Sequence, residues 1–187
     1  MITRFFILLF KWNGWKIVGT TPVDLKKAVV IGAPHTSSWD FIYALAIFKL
    51  LKLKVRYLIK KEMDFFPMGI LIRNTGGIPV DRKKSKQLTD TLVSIIEKNE
   101  EILVAMSAEG TRKKVDKWKS GFYHTALKAN VPVLPAYLDF KRKEGGFGEP
   151  IMMTGDKILD MKKIQDFYRD KTGKHPDKFD VDTIRID

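Results

Sequence analysis

The 187-residue chain contains no cysteine and only three histidines. The absence of cysteine excludes a disulfide, a cysteine nucleophile and a thiolate metal site. The histidines are His35, His124 and His175, and none shows the His-x-x-x-His or His-Glu-x-x-His spacing of zinc sites. We therefore expect no metal, and the candidate chemistry falls to imidazole, carboxylate and guanidinium groups.

The sequence also lacks an apolar run of about 20 residues, the length that a helix needs to cross a bilayer. The N-terminal stretch FFILLF is shorter than that, and no small-residue cleavage site of a signal peptide follows it. The spacing predicts an amphipathic helix over residues 1–17 that lies in a membrane surface, with packing on the protein's own core as the alternative. Its apolar face would hold Phe5, Leu8, Leu9, Trp12 and Trp15, and its basic residues are Arg4, Lys11 and Lys16.

Acidic residues are few relative to basic ones, with 22 Asp and Glu against 34 Lys and Arg, and the formal net charge is +12. Such an excess favours polyanionic partners, namely nucleic acid, anionic lipid headgroups or phosphorylated small substrates. Charge alone does not choose among them. With 44% hydrophobic residues, the composition is that of a globular chain.

Strand-like and helical segments alternate along residues 18–187, without a linker or repeat that would divide them. Short apolar runs bounded by Gly and Pro predict strands, and residues of 3.6 periodicity predict helices. The strands are predicted over 27–34, 54–60, 76–82, 101–107 and 131–140, and the helices over 37–52, 83–99 and 121–130. This alternation predicts one αβα layered domain with a mixed, largely parallel sheet.

His35 follows the first of these strands, and Asp40 stands five positions later in the first turn of the following helix. An imidazole near a helix start is kept neutral and can act as a general base, and a carboxylate can orient its other ring nitrogen. The alternative is an ordinary capped turn, since Ser37-Ser38-Trp39-Asp40 resembles a helix N-cap. The spacing alone does not decide between the two.

Two further strand ends carry guanidinium and carboxylate groups at the same predicted edge of the sheet. Arginine suits phosphate because its guanidinium donates two parallel hydrogen bonds, and glycine allows a ligand to approach the backbone. A surface ion pair is the alternative for each arginine, and a helix cap is the alternative for Glu109. The candidates are Gly77, Arg82, Glu109, Gly110, Thr111 and Arg112.

Four blocks in this order resemble the 1-acylglycerol-3-phosphate acyltransferase family of glycerolipid acyltransferases, in a short bacterial-type branch. They are HTSSWD (35–40), GIPVDR (77–82), EGTR (109–112) and VPVLPAY (131–137), and the resemblance covers about residues 28–140. It implies an αβα sandwich at residues 18–187, after the N-terminal membrane-surface helix.

The resemblance implies O-acyl transfer from acyl-CoA or acyl-carrier protein to the free hydroxyl of a lysophospholipid, with 1-acylglycerol-3-phosphate as the expected acceptor. His35 would take the hydroxyl proton, Asp40 would orient His35, and no covalent enzyme intermediate would form. Substrate binding would fall to Arg82 and Arg112 at the phosphate, with Glu109, Gly110, Thr111 and Gly77 shaping the pocket. No cofactor or metal is implied beyond the thioester donor. We expect peripheral or monotopic attachment to anionic lipid at the cytoplasmic face of a membrane, without nucleic acid.

Three other functions stay open at this point. One is an acyltransferase for a non-phosphate acceptor, such as an amino-lipid or a glycolipid. Another is a thioesterase, in which water replaces the acceptor hydroxyl. The third is a non-catalytic basic protein that binds lipid or nucleic acid, although the aromatic residues do not interleave with the lysines as a base-stacking platform requires.

Overall fold

Residues 2–22, 24–81, 85–183 and 185–186 are described by a computed structural model, and they form a central sheet with helices on both faces. The helices are α1 (Ile2–Trp12), α2 (Trp39–Leu50), α3 (Met68–Asn74), α4 (Ser85–Lys98), α5 (Gly121–Ala129) and α6 (Lys157–Tyr168). The strands are β1 (Lys16–Ile17), β2 (Lys27–Gly32), β3 (Val55–Lys60), β4 (Gly77–Val80), β5 (Ile102–Ser107), β6 (Lys117–Trp118), β7 (Val133–Asp139), β8 (Glu144–Phe147) and β9 (Arg185–Ile186).

Seven strands form the main sheet, in the order β1-β8-β7-β2-β5-β3-β4. The five strands from β7 to β4 are parallel, β8 is antiparallel to β7, and β1 is parallel to β8. The parallel strands bring their carboxyl ends to one edge of the sheet, where α/β proteins build their sites. The predicted fold, a layered αβα domain with a mixed and largely parallel sheet, is confirmed. Strands β6 and β9 form a separate parallel pair.

Successive side chains along each strand point to opposite faces of the sheet, so the core forms two layers, one on each face. Val29 and Ile31 of β2 pack with α4, α5 and α6, whereas Ala28 and Val30 pack with α1 and α2. Because β2 is central and apolar on both faces, it is buried along its length, as parallel strands in αβα structures are. Trp118 lies fully buried in the first layer.

Helix α2 carries apolar residues on every side and is the principal cover of the second layer. Three of its own side chains, those of Tyr43, Ala46 and Ile47, are buried in this layer with residues of the sheet and of α1. A helix that is apolar all round needs neighbours that cover most of its surface, and of its side chains Phe41 and Lys49 stay exposed. The sheet and α1 supply that cover, and the amino-terminal end of α2 is thereby fixed at the carboxyl edge of the sheet.

Helix α1 presents apolar side chains in two directions. Phe10 packs inward against α2, whereas Phe5, Leu8 and Trp12 are exposed, Trp12 to 87%. The helix ends at Trp12, and Trp15 is buried in the core beyond it, so the prediction that Trp15 extends the apolar outer face is wrong. No helix within the described residues is long and apolar enough to cross a membrane.

Among the elements that the sequence does not predict, β8 and α3 have a clear physical reason. The stretch KRKEGGFGEP carries turn residues, yet Glu144–Phe147 within it form β8. Glycine serves here for close approach, because a side chain at Gly146 would overlap the carbonyl of Val18 on the neighbouring chain segment. Helix α3 is only seven residues long, too short for its periodicity to stand out.

Candidate active site

The loop after β2 brings His35 and Asp40 together. The His35 Nδ1 atom lies 3.1 Å from the Asp40 Oδ2 atom, so one ring nitrogen is engaged and Nε2 is the nitrogen left for substrate. Both side chains line a cavity beneath α2. The imidazole is partly exposed and the carboxylate is buried, which suits a base that meets substrate and an orienting group that does not.

The same carboxylate oxygen also holds the turn that precedes α2. Asp40 Oδ2 accepts the backbone N–H groups of Thr36 and Ser37, each at 2.8 Å. The helix N-cap alternative is therefore met only in part, because the N-cap residue Ser38 makes no side-chain cap hydrogen bond and Asp40 binds the turn before the helix. The carboxylate satisfies two buried amides of this turn, and it simultaneously fixes the imidazole.

Glu109 lies beneath His35 and supports its backbone. The carboxyl is 2% exposed, and its Oε1 atom accepts the His35 N–H at 2.7 Å. No described residue is hydrogen-bonded to its Oε2 atom. Burial raises the pKa of Glu109 from 4.5 to about 8, the His35 amide opposes this rise, and the charge of Asp40 adds to it. The structure thus places Glu109 as a support of the His35 loop.

Three amides of this loop donate to carboxylates: those of His35, Thr36 and Ser37. Backbone amides near a helix start are common donors to the oxyanion of an acyl transfer. Because these three amides already donate to carboxylates, a hydrogen bond to the oxyanion must come from another donor.

Arg112 reaches the same loop from the segment after β5. Its guanidinium donates to the Ser38 Oγ atom at the start of α2, and the side chain is otherwise exposed. Gly110, in the left-handed region with φ of 69°, turns the chain between Glu109 and Arg112. Thr111 accepts the Lys113 N–H at 3.3 Å on its hydroxyl. The EGTR block therefore lies beside the His35 loop.

Two predicted residues do not join this group. Arg82 lies outside the described residues. Gly77 begins β4 and is paired with Tyr57, well before the carboxyl edge of the sheet. A side chain there would overlap Ile72 of α3 and approach Tyr57 Cε2 to 3.2 Å, so Gly77 allows α3 to pack on β4.

A segment near residue 174 also holds the His35 loop, and the sequence pattern did not indicate it. The His175 N–H donates to Thr36 Oγ1 at 3.2 Å. A Cβ at Gly173 would lie 2.9 Å from that oxygen and 3.0 Å from Pro34 Cβ. The Lys174 ammonium lies 4.9 Å from the centre of the Trp39 ring. These contacts are long-range and polar, so no local periodicity marks them.

The cavity beneath α2 has a volume of about 190 Å³ and a mainly apolar lining. It follows α2 from Asp40 to Phe48, a helical distance of about 12 Å. Small residues at one register of three neighbouring strands form part of its floor: Ala136, Gly32 and Ser107. A Cβ at Gly32 would meet no atom within 4 Å, so this glycine leaves space in the cavity.

Within the described ranges, no group of three His, Asp or Glu side chains is arranged to hold a metal ion. The chemistry that the site itself supports is proton abstraction by His35 next to an apolar cavity. A hydroxyl bound there can lose its proton to the imidazole while an apolar chain occupies the cavity.

The sequence model of the family described as Acyltransferase matches residues 15–139, more than half of the chain. The match includes the His35 loop, the EGTR block and most of the cavity lining. Comparison with curated proteins finds no match, and comparison with solved structures finds none.

The buried carboxyl of Glu109 predicts a pH-dependent stability that Glu109→Gln removes. Because its pKa is raised from 4.5 to about 8, the folded state keeps a proton that the unfolded state releases, and the free energy of unfolding falls as pH rises between these values. Between about pH 5 and pH 7, the free energy of unfolding of wild type should fall by roughly 2 kcal/mol relative to that of the variant. Denaturant unfolding at a series of pH values measures this difference.

The glutamine keeps an oxygen for the His35 N–H, so the variant should fold. Glu101→Gln is the control, since Glu101 is exposed and its pKa is lowered by Lys54. Parallel stability curves for wild type and Glu109→Gln would contradict the expectation.

Proposed function

Because the chain belongs to the acyltransferase family of glycerolipid enzymes and is therefore an acyl-transferring enzyme, we propose that it acylates the free hydroxyl of a lysophospholipid. The donor is acyl-CoA or acyl-carrier protein, and 1-acylglycerol-3-phosphate is the acceptor that we favour. The observation that carries this proposal is the His35–Asp40 pair on the wall of an apolar cavity.

The proposed reaction is a direct transfer. His35 Nε2 takes the proton of the acceptor hydroxyl as its oxygen attacks the thioester carbonyl, and Asp40 stabilises the imidazolium that forms. The tetrahedral intermediate collapses by breaking the carbon–sulfur bond. The imidazolium then returns its proton to the leaving thiolate, so an ester and a free thiol result and His35 is regenerated. No enzyme nucleophile or cofactor takes part.

A guanidinium group beside the His35 loop, that of Arg112, gives the proposal its acceptor. Arg112 is tied to Ser38, three residues from His35, which is a suitable position for the phosphate of a lipid whose hydroxyl reaches the imidazole. Arg82 is a second proposed phosphate ligand. An uncharged or amino-lipid acceptor is the alternative, and it would need neither arginine.

The cavity is the proposed site of an acyl chain. Its walls are apolar side chains of α2 and of the second core layer, and it begins next to the proposed base. An acyl chain bound there would place its carbonyl near His35 while its methylene groups leave water.

Attachment to an anionic membrane is also part of the proposal. The exposed side chains of Phe5, Leu8 and Trp12 on α1 lie next to exposed Arg4 and Lys11, a pattern that suits the headgroup boundary. Because thioester donors are cytoplasmic, we propose a peripheral or monotopic location on the cytoplasmic face.

His35→Ala should reduce turnover by at least about 100-fold, the size expected for a missing general base. Thioester consumption would be measured with acyl-CoA and acyl-carrier protein across a panel of lysolipids. His124→Ala is the matched control, because that imidazole is exposed on α5. Unchanged turnover of a folded His35→Ala protein would overturn the mechanism, and consumption that does not depend on acceptor would indicate a thioesterase.

Arg112→Ala should raise KM for lysophosphatidic acid by about 10-fold or more, because a charge-assisted hydrogen bond to phosphate is lost. We expect the same direction for Arg82→Ala. The comparison acceptor is monoacylglycerol, which has no phosphate, and Arg56→Ala on β3 is the control variant. If KM for lysophosphatidic acid barely changes in either variant, phosphate recognition by these residues is wrong and the uncharged acceptor is favoured.

Gly32→Val should shorten the acyl chain that the enzyme accepts, because its side chain would fill open cavity space. We expect kcat/KM for long-chain donors to fall at least about 10-fold relative to short-chain donors. Gly32→Ala should have a smaller effect in the same direction, and the short-chain rate reports on folding. An equal loss for all chain lengths would argue against an acyl chain in this cavity.

A further inference from the structure

The segment between β3 and β4 exposes an unusual number of large apolar side chains. Within residues 63–70, here called the aromatic loop, five such side chains face solvent. They are Met63 at 43%, Phe65 at 58%, Phe66 at 83%, Met68 at 39% and Ile70 at 55%. Exposed apolar surface costs about 25 cal/mol per Å², and a contiguous set of this kind marks an interaction site.

The aromatic loop is held in this exposed conformation by its own contacts. Arg73 donates to both carboxylate oxygens of Asp64, at 2.7 and 2.6 Å from Nη2, and to Oδ1 at 3.0 Å from Nε. The Gly69 N–H donates to the Phe65 carbonyl at 2.6 Å. Gly69 packs so closely on Asp64 that a side chain there would overlap its carboxylate. The phenylalanines are therefore presented outward on a closed turn.

The aromatic loop lies at the carboxyl edge of the sheet, the edge that also carries His35. It follows the carboxyl end of β3, the edge at which β2 delivers His35. The ring of Tyr57 on β3 contacts the ring of Phe41 on α2 at 5.0 Å, and both line the cavity. Phe41 is itself 38% exposed. Apolar surface thus occurs on the same edge both in the aromatic loop and at the wall of the cavity.

The charges around the aromatic loop favour binding to an anionic lipid surface rather than to a second, equally basic copy of the chain. Lys60 and Lys61 are exposed immediately before it and outnumber Glu62, while the charge of Asp64 is neutralised by Arg73. The whole chain carries +12, so a second copy would be repelled. Aromatic and aliphatic side chains beside lysines are typical of segments that enter the headgroup boundary of a bilayer.

We propose that the aromatic loop inserts into the surface of an anionic phospholipid bilayer and thereby turns the His35 edge of the sheet toward the lipid. This contact is separate from that of α1. Its purpose, delivery of a lipid acceptor to His35, rests on the proposed function, whereas the insertion itself does not.

The absence of cysteine allows one label to be placed at a time. Phe66→Cys, labelled with an environment-sensitive fluorophore, reports on the aromatic loop. Ile158→Cys is the matched control, since Ile158 is 86% exposed on α6. Helix α6 packs on the face of the sheet opposite to the one that α2 covers. With equimolar phosphatidylcholine and phosphatidylglycerol vesicles, we expect a blue-shifted emission at position 66 and no shift at position 158.

Equal responses at the two positions would overturn the proposal. A blue shift at position 66 that grows with protein concentration in the absence of vesicles would also overturn it, because the occupant would then be a second copy of the chain.

A second measurement uses unlabelled protein. Phe65→Ser with Phe66→Ser should lower partitioning onto the same vesicles by at least about 10-fold, given the apolar area of two phenylalanines. Ile158→Ser should not lower it, and equal partitioning of the double variant and wild type would contradict the proposal.

Vesicle binding and acyl transfer fail separately in these experiments. Insertion at position 66 without any acyl transfer would leave this inference standing and remove the proposed function. Acyl transfer without insertion would leave the proposed function standing and remove this inference. The double variant should keep its turnover on a lysolipid that is dispersed below its micelle concentration, since these side chains are not among the proposed catalytic groups.

Discussion

The carboxylate of Asp40 makes the contacts on which the candidate site depends. A single oxygen, Oδ2, accepts two amides of the preceding turn and lies within hydrogen-bond distance of the imidazole of His35. A buried carboxylate without such donors would be costly. Because one oxygen binds both the turn before α2 and the imidazole, the turn cannot shift without moving the proposed base. The position of α2 on the sheet therefore sets the geometry of the site.

The local part of this arrangement could be predicted from the sequence. His35 and Asp40 are five positions apart at a strand–helix junction, so periodicity and turn residues place them on one loop. The strand–helix alternation likewise predicts the sheet, since short apolar runs bounded by Gly and Pro are typical of buried strands. Glu109 was predicted at the correct edge, but the structure gives it a support role, because its partner is a backbone amide 74 positions away.

Other features depend on packing that has no local pattern. The cavity exists because small residues from three strands meet at one register beneath a helix, and register appears only when the sheet is assembled. Gly77 belongs to a block that suggests ligand contact, yet its space is filled by Ile72. The exposure of the aromatic loop was equally hidden, since an apolar stretch such as DFFPMGIL in a sequence predicts burial.

The contact between His175 and Thr36 has a consequence for how the molecule is made. It joins positions 139 residues apart, and Glu109 adds a second long-range contact to the same loop. Contacts of such sequence separation form late in folding, because the loop-closure entropy must be overcome first. During synthesis, β2 and its following loop leave the ribosome long before Gly173 and His175. A nascent chain can thus bury its central strands while the histidine loop still lacks the contacts of this distant segment.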